Sequence, residues 1–189
     1  MLPAAPLHGA KPPMKVAPFS LPIDVIRAEL GALRTDMSIA VVRAKNPFNI
    51  GAIIRVAHSF LVREIFLIGT EPFYEKAAMG MQKYETIVEC PDEETFLQKI
   101  ARRPLIGVER DHATAPLWTT ELPDDMVFLF GSEDFGIPES LLPRCQAVAA
   151  IPMYGINHSF PLTVAVGITL AEWARRRDPK GTGRLRPER

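Results

Sequence analysis

The sequence predicts an α/β fold in which a parallel sheet is flanked by helices. Three observations predict it. Short, nearly continuous apolar runs recur at residues 37–43, 64–68, 126–130 and 147–151, too short for independent helices and too apolar for surface strands, so they suit a sheet covered on both faces. Segments with helical apolar spacing lie between them. Several of the runs end directly in Gly or Pro, at Gly69, Gly131 and Pro152, which places polar loops at strand ends. At 189 residues the chain supports one domain with a full core.

Residues 1–36 carry prolines throughout their first half and lack the compact apolar stretch of a secretory signal, so they read as a flexible or loosely docked arm of a cytoplasmic protein. MSIAVVR (37–43) is the first strand. After the break AKNPFN, the spacing of Ile50, Ile53, Ile54, Ala57 and Phe60 is helical, with Asn49 as a candidate cap at the junction. EIFLI (64–68) is the second strand, 75–83 a weak helix, 86–89 a short strand and 92–101 a helix after Pro91. Strands follow at 105–108, 126–130 and 147–151, the last two separated by a helical turn at PESLL. Residues 159–177 read as the final helix, with Ser159 as its cap and Pro161 tolerated in its first turn. The domain thus spans 37–177, and 178–189 form a basic tail.

Apolar residues make up 47% and charged residues 23% of the chain, and no apolar run approaches the roughly 20 residues of a membrane helix. No membrane is expected. Cys90 and Cys145 have 54 residues between them and no C-x-x-C or Cys/His ligand spacing, so they read as buried structural thiols in a reducing compartment, with no metal site. The formal net charge of zero hides an asymmetry: residues 175–189 hold seven Lys/Arg against two acids, while residues 21–174 hold 13 basic and 20 acidic groups. Such a tail, beginning at Arg175, Arg176 and Arg177, suits a polyanion such as RNA.

Three loops carry candidate chemistry. In Asn46–Arg55, NPFNIGAIIR, Gly51 permits a close backbone approach, and Arg55, one to two turns into the helix, can meet a phosphate or a reacting hydroxyl. In Gly131–Pro138, two glycines directly after a buried strand free main-chain N–H groups for a ligand, and Glu133 brings a carboxylate to the same edge. The spacing fits neither a P-loop nor a nucleophile elbow. In Ile151–Ser159, IPMYGINHS, backbone donors and apolar walls suit an adenine and a thioether.

Taken in order, Asn49, Gly51 and Arg55, then Gly131, Glu133, Gly136 and Ile137, then Ile151, Pro152, Met153, Gly155 and Ser159 closely resemble the three motifs of the SpoU (TrmH) class of the SPOUT superfamily of RNA methyltransferases. The resemblance covers about residues 38–177. One departure is Pro161, which stands where the family usually has Asn in Ser159-Phe160-Pro161-Leu162-Thr163; proline has no N–H and no amide side chain.

The resemblance implies a C-terminal deep trefoil knot over roughly residues 126–170 and S-adenosyl-L-methionine as cofactor, bound by Glu109, Phe130, Gly131, Gly136, Ile151, Met153 and Ser159. It implies methyl transfer to a ribose 2′-hydroxyl of RNA, with Arg55, Asn49, Glu133 and Ser159 as catalytic residues and Arg55 and Arg175–Arg177 meeting the RNA. Arg55 is the family's candidate base, although a guanidinium is ordinarily protonated at neutral pH. It also implies a homodimer in which Arg55 of one subunit reaches the partner's pocket. The short chain favours tRNA over rRNA. The alternative is a non-catalytic RNA-binding or cofactor-binding module of the same fold, motivated by Pro161, and an unrelated Rossmann-type enzyme is disfavoured by the absence of G-x-G-x-x-G.

Overall fold

The computed structural model describes residues 21–43 and 46–178, so the expectations for residues 1–20 and for the tail beyond Asp178 lie outside the described residues. In chain order the elements are α1 (Ile23–Gly31), β1 (Ser38–Val42), α2 (Pro47–Ser59), β2 (Ile65–Ile68), β3 (Ile87–Cys90), α3 (Glu93–Ile100), β4 (Leu105–Val108), β5 (Ala115–Pro116), β6 (Val127–Phe130), β7 (Ala147–Ala150) and α4 (Leu162–Arg177). The strands form one sheet in the order β3-β2-β1-β6-β4-β7-β5, and every pairing is parallel. The expected α/β sheet flanked by helices is the observed architecture.

Side-chain alternation along the strands divides the core. Ile39, Val41, Ile65, Leu67, Ile106, Phe128 and Phe130 face α2 and α4, where they meet Ile50, Ile53, Ile54, Val166 and Leu170. Ala40, Phe66, Ile68, Leu105, Val127 and Leu129 face the other way, onto Phe96 and Ile100 of α3 and onto Ile137 and Leu141. Both faces are covered, which is why the strands read as unbroken apolar runs.

Four elements differ from the sequence reading. Within the expected 1–36 arm, α1 forms and packs Ile26 and Leu30 on Leu61. Arg34 anchors the chain after it: its guanidinium lies 2.7 Å from Glu85 Oε2 and donates to the Val62 carbonyl at 2.6 Å, while His58 Nδ1 lies 2.7 Å from Glu85 Oε1. The weak helix at 75–83 is two 3-10 turns, Glu75–Ala78 and Met81–Lys83, because Met79 and Gly80 between them take positive φ of 53° and 85°. The two-residue β5 edge strand was not foreseen. Finally, α4 begins at Leu162 and not at Ser159.

Candidate functional site

Parallel strands deliver their following loops to one edge of the sheet. Val108 is level with Phe130 on one side and with Ala149 on the other, so Glu109 and Gly131 each emerge one residue past a matched pair and Ile151 two residues past. Phe130 is 1% exposed with its ring in the core, so it offers the edge its backbone. Ile151 and Met153 are half-buried.

The loop after β6 is closed by its own backbone. Ser132 and Gly136 exchange N–H···O bonds of 3.0 and 2.9 Å, and Gly136 has φ of 68°, a region that favours glycine. A Cβ on Gly131 would lie 2.0 Å from the Gly136 carbonyl carbon, so Gly131 is required by the loop itself. Glu109 holds this loop from β4: Oε2 accepts the Ile137 N–H at 2.7 Å, and Oε1 lies 2.7 Å from His112 Nδ1. Glu109 therefore sits at the predicted edge with its carboxylate committed to positioning the loop.

The loop after β7 is open. Among the described residues, no backbone amide between 152 and 160 donates to another backbone group. Arg110 donates to the His158 carbonyl, tying this loop to the one after β4. Tyr154 and Ile156 are 95% and 96% exposed. Ser159 is exposed and does not cap α4. Proline explains the displacement: it disfavours helical geometry at Phe160, and Pro161 itself stands at the N-cap with ψ of 139°. The cap comes from elsewhere in the chain. Glu133 Oε1 accepts the Leu162 N–H at 3.2 Å, a carboxylate at a helix N-terminus where the dipole favours negative charge.

In the loop after β1, Asn46 and not Asn49 is the cap, its Oδ1 accepting the Phe48 N–H at 3.1 Å. Asn49 lies in the first turn, and its Nδ2 is buried without a hydrogen-bond partner. Gly51 serves a close approach, by protein backbone: a Cβ there would lie 2.6 Å from the Tyr74 carbonyl oxygen and 3.0 Å from Ala78 N. Arg55 is exposed and forms no ion pair among the described residues, with Glu133 or any other acid.

The arginines ending α4 are internally engaged. Arg175 and Arg176 bond Glu172 at 2.7 and 2.8 Å, and Arg176 also donates to the Thr120 carbonyl at 2.7 Å. Hydrogen bonding to Arg175, more than offsetting the cost of burial and aided by Arg176, holds the Glu172 carboxyl down at about 2. Arg177 pairs with Asp124 at 2.5 Å. Burial pushes the Cys145 thiol up to about 11, and Cys90 and Cys145 are both free. Arg110 and His112 escaped the sequence reading. Their signal was the charged run Glu109-Arg110-Asp111-His112 directly after a buried strand.

Three loops thus converge on one edge, cross-linked by Glu109, Arg110 and Glu133, with a stretch of unpartnered amides between half-buried Ile151 and Met153 and the start of α4. Donors of this kind beside apolar walls suit a flat nitrogen heterocycle bearing a thioether arm.

Known proteins resemble this chain in sequence and in fold. The SpoU rRNA Methylase family model matches residues 36–171. A 23S rRNA (guanosine-2′-O-)-methyltransferase of Coxiella burnetii is 27% identical over 141 residues, 71% of this chain and 56% of that protein. Among solved structures, an AdoMet-bound rRNA methyltransferase from Sinorhizobium meliloti aligns with TM-score 0.67 and 29% identity over 78% of this chain and 60% of that one. The TrmH/SpoU tRNA modifying enzyme of A. aeolicus shares the fold, with TM-score 0.72 and 22% identity over 84% of each chain. The chain spans a little over half the length of the curated relatives it matches.

Proposed function

The chain belongs to the SpoU rRNA methylase family, and from that premise we propose that it is an S-adenosyl-L-methionine-dependent RNA methyltransferase acting on a ribose 2′-hydroxyl. The observation that carries this reading is the convergence of the loops after β4, β6 and β7, the last two of them motif loops, with the amides of residues 153–160 making no backbone bond at the same edge.

The residues fit the cofactor. The amides of 153–160 and the backbone at Phe130, Gly131 and Ile151 would hold its heterocycle, with Ile151 and Met153 as apolar walls and Gly136 and Glu109 fixing the loop that faces it. When bound, S-adenosyl-L-methionine supplies an electrophilic methyl group. The chain's task is then to present the hydroxyl and remove its proton. A ribose hydroxyl is a poor nucleophile until deprotonated, so a base must act. Arg55 is the proposed residue, set on α2 by the Asn46 cap and oriented by Asn49. Ser159, exposed before α4, is placed to position substrate or cofactor, and Glu133 keeps the second and third loops in register by capping α4.

An Arg55 without an acidic partner among the described residues is the geometry expected if it serves a second subunit, so the proposal includes a homodimer in which Arg55 reaches the partner's pocket. Exposure of Phe135, Tyr154 and Ile156 supports burial of these loops on assembly. A deep trefoil knot over roughly residues 126–170 is proposed with it, supported by β4 lying between the later strands β6 and β7. RNA phosphates would be met by Arg55, by Arg175 and, through their free N–H groups, by Arg176 and Arg177, together with the tail from 178, with steep salt dependence.

The test is Arg55→Ala. Methyl transfer should fall by about 10²- to 10⁴-fold, the usual worth of acid–base assistance, while cofactor binding by calorimetry is retained. If the wild-type protein transfers no labelled methyl to any cellular RNA, the non-catalytic binding module replaces the enzyme. Ribose-methylation mapping of RNA from cells lacking the gene decides between tRNA and rRNA.

A further inference from the structure

The outward face of α2 holds a feature the motif chemistry does not use. Its core positions Ile50, Ile53, Ile54 and Ala57 are buried, which turns residues 48, 52, 55 and 59 to the opposite side at i, i+4, i+7 and i+11. Phe48 opens this stripe at 57% exposed, and Arg55 lies two turns along it.

Phe48 is paired with Tyr74, itself 40% exposed. The ring centroids are 4.8 Å apart at an interplanar angle of 49°. The pair is built by backbone. The Tyr74 N–H donates to the Pro47 carbonyl at 2.8 Å, and glycine at 51 lets the Tyr74 carbonyl come where any Cβ would stand 2.6 Å away. Neither ring belongs to the sheet core.

Resting on the reading of the site as an RNA methyltransferase, we propose that Phe48 and Tyr74 form a stacking platform for an unpaired RNA base adjacent to the nucleotide that Arg55 meets. Seven helical residues separate Phe48 from Arg55, about 10 Å along the axis, a span that one single-stranded nucleotide step bridges between phosphate and neighbouring base. Charge selects the occupant. An apolar face laid on the Phe48 end of this stripe would bring no counter-charge to the nearby Arg55, which has no acidic partner among the described residues, whereas a nucleotide brings a π-face for the rings and an anion for the cation together. The turn carrying Tyr74 adds little net charge, since Glu75 and Lys76 adjoin. Stacking tolerates any base, so the platform favours single-stranded substrate over duplex without dictating sequence.

The experiment uses the full chain and a single-stranded RNA oligonucleotide containing 2-aminopurine, whose fluorescence falls on stacking and which requires no methyl transfer. Phe48→Ala and Tyr74→Ala should each weaken binding by about 5- to 150-fold, the range that stacking on one aromatic side chain represents, and abolish the quenching. Phe48→Tyr should retain both, and addition of the protein should cause no further quenching of the same oligonucleotide in a duplex. Unchanged affinity and quenching in Phe48→Ala, with folding verified by circular dichroism, overturns the platform. So does a Phe48→Ala protein that sediments as monomer where the wild type is a dimer while oligonucleotide quenching persists, because a second copy would then own the surface. Stacking without methyl transfer to any RNA removes the enzymatic reading alone. Methyl transfer unaltered by Phe48→Ala removes the platform alone.

Discussion

Gly51→Ala sets two magnitudes against each other. In a helix interior, alanine is favoured over glycine by about 0.8–1.0 kcal/mol, so propensity alone predicts stabilisation. The structure predicts the reverse. The new methyl would stand 2.6 Å from the Tyr74 carbonyl oxygen, 2.7 Å from Ala77 Cβ and 3.0 Å from Ala78 N, and two of these are backbone atoms that no rotamer change can move. The turn cannot slide away freely, because the Tyr74 N–H is bonded to the Pro47 carbonyl and the Tyr74 carbonyl accepts the Ala77 N–H. Overpacking of this kind costs about 1–3 kcal/mol, and giving up one such hydrogen bond about 0.5–1.5 kcal/mol more. After the propensity gain, the net is a destabilisation of about 1–3 kcal/mol, a fall in Tm of roughly 2–4 °C per kcal/mol for a chain of this size. Urea unfolding followed by fluorescence of Trp118 and Trp173 measures it, as a lowered midpoint with unchanged slope. A variant as stable as the wild type, or more so, would refute the close-approach reasoning and with it the fixed placement of Tyr74 beside Phe48.

The other predictions concern α4 and the thiols. Glu172→Gln should lower Tm at pH 7: the native carboxyl titrates at about 2 against an ordinary 4.5, so its contribution is complete above about 4.5 and fades as pH falls toward 2, and the gap between the two melting curves should close over that window. Cys145, held up at about 11 by burial, should react with an aromatic disulfide reagent at pH 8 far more slowly in native than in urea-unfolded protein, as timed by thiolate release. Pro161→Asn exchanges a proline's restraint of the unfolded chain, about 0.4–1 kcal/mol, for an N-cap side chain of about 0.5–2 kcal/mol; Tm should hold within a few degrees while the methyl-transfer rate changes, and an equal rate would show that position 161 is indifferent to catalysis.

The strands were legible because burial on both faces writes itself as short apolar runs, and Ile65–Ile68 and Val127–Phe130 lie inside the segments read from sequence. The first two motif loops were legible because Gly51, Gly131 and Gly136 each meet a backbone constraint, as Gly131 does against Gly136. Illegible features depend on partners distant in sequence. No local pattern announces that Arg34 will find Glu85, or that this ion pair will help settle a segment otherwise resembling a proline-rich arm. The 75–83 turn misread as helix because its apolar spacing is helical, while the left-handed conformations at Met79 and Gly80 break it into two short turns. Asn49 misread as a cap because both Asn46 and Asn49 lie near the junction, and the capping bond is made three residues before the motif residue.

Glu133 joins these observations. Read alone, it is an acidic turn residue, and in the family pattern a loop holder or a partner for Arg55. Its carboxylate instead reaches the first amide of α4, where Pro161 has removed both the N–H and the side-chain cap that an asparagine would bring. With Ser159 displaced from the cap, its hydroxyl remains exposed at the edge where the three loops meet. Proline at 161 is thus accommodated without leaving the helix start unsatisfied, because the capping function has passed from the third loop to the second. Two loops that are otherwise joined through the sheet and through Glu109 and Arg110 of the loop after β4 become coupled directly through one carboxylate. A change at either Glu133 or Pro161 is therefore felt by both walls of the proposed cofactor pocket.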